Sequence, residues 1–310
     1  MSILTLENKE SDLNENNNEV IKEEINLQFH WYLFTFFIII IVSFLLPGVI
    51  LMLFILFFFV PFFLETSSFF ALFTEWKPLL AFITMPFVII GCYLLHLFFV
   101  ALFTRMFWRI SEKISPTKDG IIPRNIPSKT LNFYHIRSFM IKYGKNVFIK
   151  GAFPWLANWF FNFVGSNKIG KGTTIEEQVC ADKYIRVGNN SYIGVNCVLT
   201  SHLVEGIFGN TVFFELKVGD NVTLGGFNCF ASGCDIKDDS YLLPTACGGK
   251  FYTIKGKGYY FGAPVRKIFK KRIKEFLGLT KEDLARAEAL KEKRKASKKL
   301  PNKKEDNEEK

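Results

Sequence analysis

The chain has 310 residues, a net charge of +10, 49% hydrophobic residues and 36 phenylalanines. Such apolar content excludes a chain disordered throughout, and its concentration in two blocks argues against a single soluble globule. Six cysteines without a CxxC pair give neither a zinc ribbon nor a disulfide framework.

Residues 1–30 hold two lysines against seven acidic residues and read as a disordered acidic leader, unlike the basic start of a signal peptide. Trp31 to Leu64 and Leu79 to Thr104 then contain no charged residue. About 20 helical residues cross a hydrocarbon core of ~30 Å, so both runs read as membrane spans, within about 31–60 and 79–104 of a helical region 31–108. The first run, ~51 Å as a straight helix, exceeds one bilayer. Pro47-Gly48 and Pro61 are the places to bend or tilt it or make it re-entrant, and one long kinked span is preferred to two short ones. Residues 105–150 carry ten Lys/Arg against two acids, which puts everything after Thr104 in the cytoplasm. With two spans the N-terminus is cytoplasmic too; a third would reverse it.

Residues 109–168 read as an interfacial linker followed by a cap, the aromatic stretch Phe153–Val164. From Ile169 the chain divides into sixes: IGKGTT, IEEQVC, ADKYIR, VGNNSY, IGVNCV, LTSHLV. After an interruption placed at Glu205–Lys217 the pattern returns one residue out of phase as VGDNVT, LGGFNC, FASGCD, IKDDSY, LLPTAC. The first position is Ile, Leu or Val in nine of these eleven units, and the fifth is mostly small. Three short strands separated by tight turns close one triangular coil of about 18 residues, and coils stack at the ~4.8 Å interstrand distance. The aliphatic first position points inward, and a small fifth residue fits the inner corner. Cys180, Cys229 and Cys247 recur one coil apart or at multiples of it, a column read as packing rather than as a metal or redox site. Residues 266–310 form a basic C-terminal helix and tail. Arg266–Leu277 is an amphipathic cap whose lysines also suit anionic headgroups, and Thr280 with Asp283 forms a capping box. Nothing points to nucleic-acid recognition: no aromatic-plus-basic motif and no zinc module.

These hexads resemble the hexapeptide-repeat transferase superfamily, and Gly262-Ala263-Pro264-Val265 is similar to the G-N-P-A stretch that ends its helix, with Ala263 in place of Asn. The resemblance implies a left-handed parallel β-helix over 169–265, a homotrimer, and acyl-CoA, usually acetyl-CoA, as co-substrate. The fold class expected is therefore a membrane-anchored, mainly β protein: transmembrane helices, a short left-handed β-helix and a C-terminal helix. More narrowly, the chain resembles the membrane-embedded terminal module of poly-lysine synthetase and related nonribosomal peptide synthetases. That likeness rests on Ser115-Pro116 through Pro127, Tyr134-His135-Ile136-Arg137, Phe163–Gly170 and His202-Leu203-Val204-Glu205, the last standing where the module has H-L-F-E.

An acyl transfer from a thioester needs a base for the attacking hydroxyl or amine, and histidine titrates near the working pH. His202 is the only histidine of the repeat, stands at its break, and is the candidate base. Glu205 is the candidate partner that orients the ring or binds the acceptor. Asn196, Ser201 and Asn228 are candidate substrate contacts. No metal site is expected, since a γ-type carbonic anhydrase would need several histidines here. His135 reads as interfacial, and His30 and His96 as helix-packing residues. The function expected is acyl transfer to a membrane-proximal hydroxyl or amine, beside membrane lipids, with a non-catalytic trimeric scaffold as the alternative.

Overall fold

The computed structural model describes residues 28–65, 68–176, 183–205, 209–268, 278 and 280–299. The leader up to residue 27, Cys180, the amphipathic stretch 269–277, the tip 206–208 and the tail from residue 300 lie outside the described residues. The rest falls into two units, one ending at Arg266 and one starting at Lys267.

Two helices are long and apolar enough to cross a membrane. The first, α1 (Phe29–Phe54), carries Pro47 inside it and runs on as π-helical turns, Ile55–Leu64. Pro61 has no N–H to give the ordinary ladder, and the segment closes with Glu65 N donating to Val60 O, five residues back. After the single turn α2 (Ala71–Thr74), α3 runs from Trp76 to Ile114 with Pro86 inside. Both helices leave large apolar side chains uncovered, such as Phe57 at 75% and Phe87 at 72% exposure. A core helix of a soluble protein would have hidden them.

The linker folds onto these helices rather than hanging from them. Ser128 caps α4 (Lys129–Ile149), its hydroxyl accepting from Leu131 N. Gly144 lies so close to the Phe160 ring of α5 (Ala157–Val164) that a Cβ there would collide with it. Ile39 of α1, Leu97, Val100 and Trp108 of α3, Met140 and Phe148 of α4 and Phe160 and Phe161 of α5 form one core, which also takes in Ile169 of the first hexad. His96, buried in α3, joins three helices: Nδ1 meets Ser43 O at 3.2 Å and Nε2 meets the Tyr143 hydroxyl at 2.9 Å. It is thus a packing residue.

The hexads form a parallel β-helix with three sheets. Strands at 168–169, 185–187, 216–218, 235–236 and 253–254 stack on one face, those at 198–199, 229–230 and 247–248 on another, and those at 174–175, 192–193, 223–224, 240–242 and 258–261 on the third. Residues one coil apart pair in register, as in Tyr192↔Thr223↔Tyr241. First-position side chains, among them Val187, Ile193, Leu199, Val218, Leu224, Phe230, Ile236, Leu242 and Ile254, fill the axis together with fifth-position Cys197, Val222, Cys234 and Ala246. The fourth position turns the corner in the left-handed backbone region: Gly172, Tyr184, Asn190, Asn196, Asn221, Phe227, Gly233, Asp239, Thr245, Phe251 and Lys257 all have positive φ. The regular coil therefore extends past LLPTAC, through two further hexads.

In the second unit, α6 (Lys281–Lys299) opens with the expected capping box. The Thr280 hydroxyl (2.7 Å) and then Thr280 N (3.0 Å) donate to Asp283 Oδ2 and hold its carboxyl below the usual range, while Asp283 N donates to Thr280 Oγ1 at 3.2 Å.

Candidate active site

His202 occupies a fourth position, where every regular hexad among the described residues turns its corner. Instead of turning, the chain leaves the coil as a strand, His202–Glu205, and returns antiparallel to it as Asn210–Phe213. Leu216 then pairs with Ile185, both fifth-position residues, so the inserted segment is 202–214 rather than 205–217. Its thirteen residues account for the one-residue change of phase. Phe214 N donates to Ser201 O (2.9 Å) and to Ser232 Oγ (2.9 Å), which closes the coil beneath the hairpin.

A third strand completes this small antiparallel sheet: Gly120–Ile122, five residues beyond α3, pairs with Phe213–Thr211. Behind it stands α4. The Tyr134 ring lies edge-on to His202 (5.9 Å between centroids) and to Phe213 (5.2 Å), and Tyr184 packs on Phe213 at 5.0 Å. Lys183 is only 2% exposed; its ammonium donates to Tyr134 O (3.1 Å) and to Ser138 Oγ and sits 3.7 Å over the Tyr134 ring. Burial and a hydroxyl bond to Asp119 push the Tyr184 phenol upward, so it stays protonated. Arg137 donates to Ser115 O (2.6 Å), and Tyr134 touches His202.

At His202 the Thr200 hydroxyl donates to the His202 carbonyl (2.8 Å) and lies 3.5 Å from Nδ1. With its proton committed to the carbonyl, Thr200 Oγ1 faces the ring as an acceptor. That favours Nδ1–H.

The other predicted residues fall differently. Glu205 lies three residues along the strand, so its side chain leaves from the opposite face, where its carboxylate pairs with Lys250. It does not orient the imidazole. Ser201 is fully buried; its hydroxyl donates to Lys183 O at 2.7 Å. Asn228 is equally buried, its amide donating to Leu243 O at 2.8 Å. As placed, both brace the wall of the coil and present nothing to a substrate. Asn196 turns the preceding corner with φ 55°. Cys229 and Cys247 are register partners, and burial followed by the neighbouring Cys247 pushes the Cys229 thiol up, away from a reactive thiolate. Among the described residues no group of three His, Cys, Asp or Glu could hold a metal ion.

His135, expected from the sequence to be interfacial, lies on α4 one residue after Tyr134. It stacks on Tyr32 of α1 at 5.2 Å and its Nε2 is buried with no hydrogen-bond partner. Nearby, a cleft of about 370 Å³ opens between the end of α3 and the first coils, lined by Trp108, Glu112, Lys168, Lys183, Phe213 and Glu215. Phe213, part of its wall, is the cross-strand partner of His202.

Over 95 residues the chain is 30% identical to a UDP-3-O-acylglucosamine N-acyltransferase of Campylobacter lari. Over this stretch the chain resembles hexapeptide-repeat acyltransferases. The match covers 31% of this chain and 27% of that enzyme, so the chain spans about a quarter of the relative's length. No family model matches. Similar solved structures include a hexapeptide-repeat acetyltransferase of Vibrio cholerae complexed with acetyl coenzyme A (19% identity, TM-score 0.31, 34% of this chain and 61% of that one). A maltose O-acetyltransferase of Clostridium difficile is 14% identical, with TM-score 0.28, over 54% of this chain and 86% of that one. The hexapeptide coil is identified by its own register and corners, not by these superpositions.

Proposed function

We propose that the protein is a membrane-anchored acyltransferase that moves an acyl group from acyl-CoA to a hydroxyl or amine near the bilayer. The observation that carries this reading is the position of His202: the hexad whose corner is not made carries the repeat's histidine, on a hairpin braced by α4 and by the strand that follows α3. His202 Nε2 takes the proton of the attacking group, and Thr200 holds the tautomer that makes this possible. The attacking oxygen or nitrogen adds to the thioester carbonyl, the tetrahedral adduct collapses, and the proton passes to the departing thiolate. The cleft beside Phe213 has the size of a small-molecule site and is the place assigned to the acceptor. Anchoring is supported by the uncovered apolar surfaces of α1 and α3, and a cytoplasmic coil by the basic residues that follow them. Left-handedness, trimerisation and acetyl-CoA as donor follow from the family resemblance.

The test is calorimetry with acetyl-CoA on the full chain in detergent micelles, together with release of free CoA in the presence of a membrane-lipid extract. Wild type is expected to bind in the micromolar range and to turn over. His202→Ala is expected to bind equally and to lose turnover by about 10²–10⁴-fold. A folded wild type that binds no acyl-CoA would favour the non-catalytic scaffold.

A further inference from the structure

The sequence reads the cysteine column of the coil as packing, but the structure divides the described cysteines of the repeat into two kinds. Cys197 and Cys234 stand at fifth positions, buried on the axis, and each thiol donates to a carbonyl, Gly225 O and Gly249 O, at 2.9 Å. Those two do pack. Cys229 and Cys247 stand at sixth positions, just before the inward residues Phe230 and Gly248, so alternation along the strand turns their side chains to the outer face. Cys229 is exposed and Cys247 half-buried. Cysteine is among the residue types most often hidden, and packing does not account for two of them side by side on an outer wall.

The two are register partners in parallel strands of consecutive coils, Cys229 with Cys247 and Phe230 with Gly248. In-register neighbours on one face stand ~4.8 Å apart and point the same way. An ion held linearly between two sulfurs needs them about two metal–sulfur bonds apart, ~4.6 Å for bonds of ~2.3 Å. The spacing of stacked coils therefore supplies the span of a two-coordinate dithiolate. Val198 holds the equivalent position of the coil before, so that neighbour adds no ligand. Among the described residues the three or four ligands that zinc takes are not gathered here. Two thiolates alone suit a soft ion content with two ligands.

We propose that Cys229 and Cys247 form a binding site for a soft monovalent cation, Cu(I), held between two thiolates on the outer face of the coil. The raised Cys229 thiol stays protonated until a cation displaces its proton. Both thiols release their protons to solvent as two copper–sulfur bonds form. One Cu⁺ thus replaces two H⁺, the site gains a single negative charge, and no electron is transferred. Each ligand comes from a different coil, so the ion ties two consecutive coils together. The inference depends neither on acyl transfer nor on the membrane anchor.

The experiment is a competition for copper. Full-length protein in maltoside micelles, reduced and under nitrogen, is titrated against the coloured Cu(I) complex of bicinchoninate. Wild type is expected to withdraw one Cu(I) per chain. Cys229→Ser and Cys247→Ser are each expected to weaken that binding by at least about tenfold, with Cys92→Ser unchanged. X-ray absorption of the loaded protein is expected to show two sulfur ligands. A wild type that withdraws no copper, copper held equally by wild type and both variants, or a spectrum with three or more ligands overturns the site. Should either variant fail to fold, wild-type protein decides alone. One equivalent of Cu(I) must protect both Cys229 and Cys247 from iodoacetamide, read by peptide mass spectrometry, and alkylation of either at the metal-free rate refutes the proposal.

Discussion

His135 makes the stability of the folded chain depend on pH, with a definite sign. In the unfolded chain an imidazole titrates near 6.5; in the fold burial, and then Lys183, Arg124, His202 and Lys142, lower it to about 4. The depressed value means that protons bind the unfolded chain preferentially. The stabilisation from keeping His135 neutral is complete above pH 6.5, is lost as the pH falls from 6.5 to 4, and changes no further below 4. At ~1.36 kcal/mol per pH unit the full effect is about 3 kcal/mol, and partial exposure of the ring reduces it to about 2 kcal/mol. Roughly half of that falls above pH 5, where carboxylates contribute least. The assay is denaturant unfolding in micelles, followed by tryptophan fluorescence at pH 7.5, 6, 5 and 4.5, for wild type and His135→Gln. Wild type is expected to lose about 1–2 kcal/mol more than the variant between pH 7.5 and 4.5. Parallel curves for the two proteins would refute the placement of His135 in a buried cationic cluster.

Ser201→Ala is expected to cost about 1 kcal/mol of stability, because the buried bond to Lys183 O is lost, while KM stays unchanged; a higher KM at unaltered stability would restore Ser201 as a substrate contact. Phe213→Ala removes a ring packed between Tyr134 and Tyr184 and is expected to destabilise by about 3–5 kcal/mol in thermal unfolding, with loss of turnover. Gly144→Val drives a side chain into the Phe160 ring, and the separation of α4 from α5 should appear as faster proteolysis between residues 149 and 157. Thr280→Ala should reduce the stability of α6 by about 1 kcal/mol, read by circular dichroism of the chain with and without residues 278–310.

The coil was legible because its signal is local. An inward aliphatic residue every six positions and a small residue four later follow from the geometry of stacked strands, and the structure buries both sets. The corners were only half legible. Asn190, Asn196, Asn221 and Asp239 are residues that accept positive φ readily, but Tyr184, Phe227, Thr245, Phe251 and Lys257 do so equally here and carry no such mark. The missing corner at His202 showed as a change of phase, yet its boundary was misplaced by three residues because Leu203 and Val204 continue the apolar pattern into the hairpin. What the sequence could not disclose is pairing at long range. Gly120–Ile122 meets a strand some ninety residues away, and Tyr134 meets His202 across 68 residues; no periodicity records either contact.

Those long-range contacts bear on the role proposed for the histidine at the break. A solenoid wall offers flat sheets and tight corners, and a side chain at the fourth position of a regular coil is fixed only by its own turn. At His202 the chain gives up that turn and gains an antiparallel partner on one side, with Tyr134 at its back. The outer strand of the same small sheet starts five residues after α3, and Asp119 in that short connection accepts from Glu215 N at 2.9 Å where the chain re-enters the coil. The imidazole is therefore positioned jointly by the coil and by the apolar helices, and moving one relative to the other would displace it. A base that served only soluble acceptors would gain nothing from that second reference. One that must meet a group held at the bilayer surface, as proposed for His202, needs it.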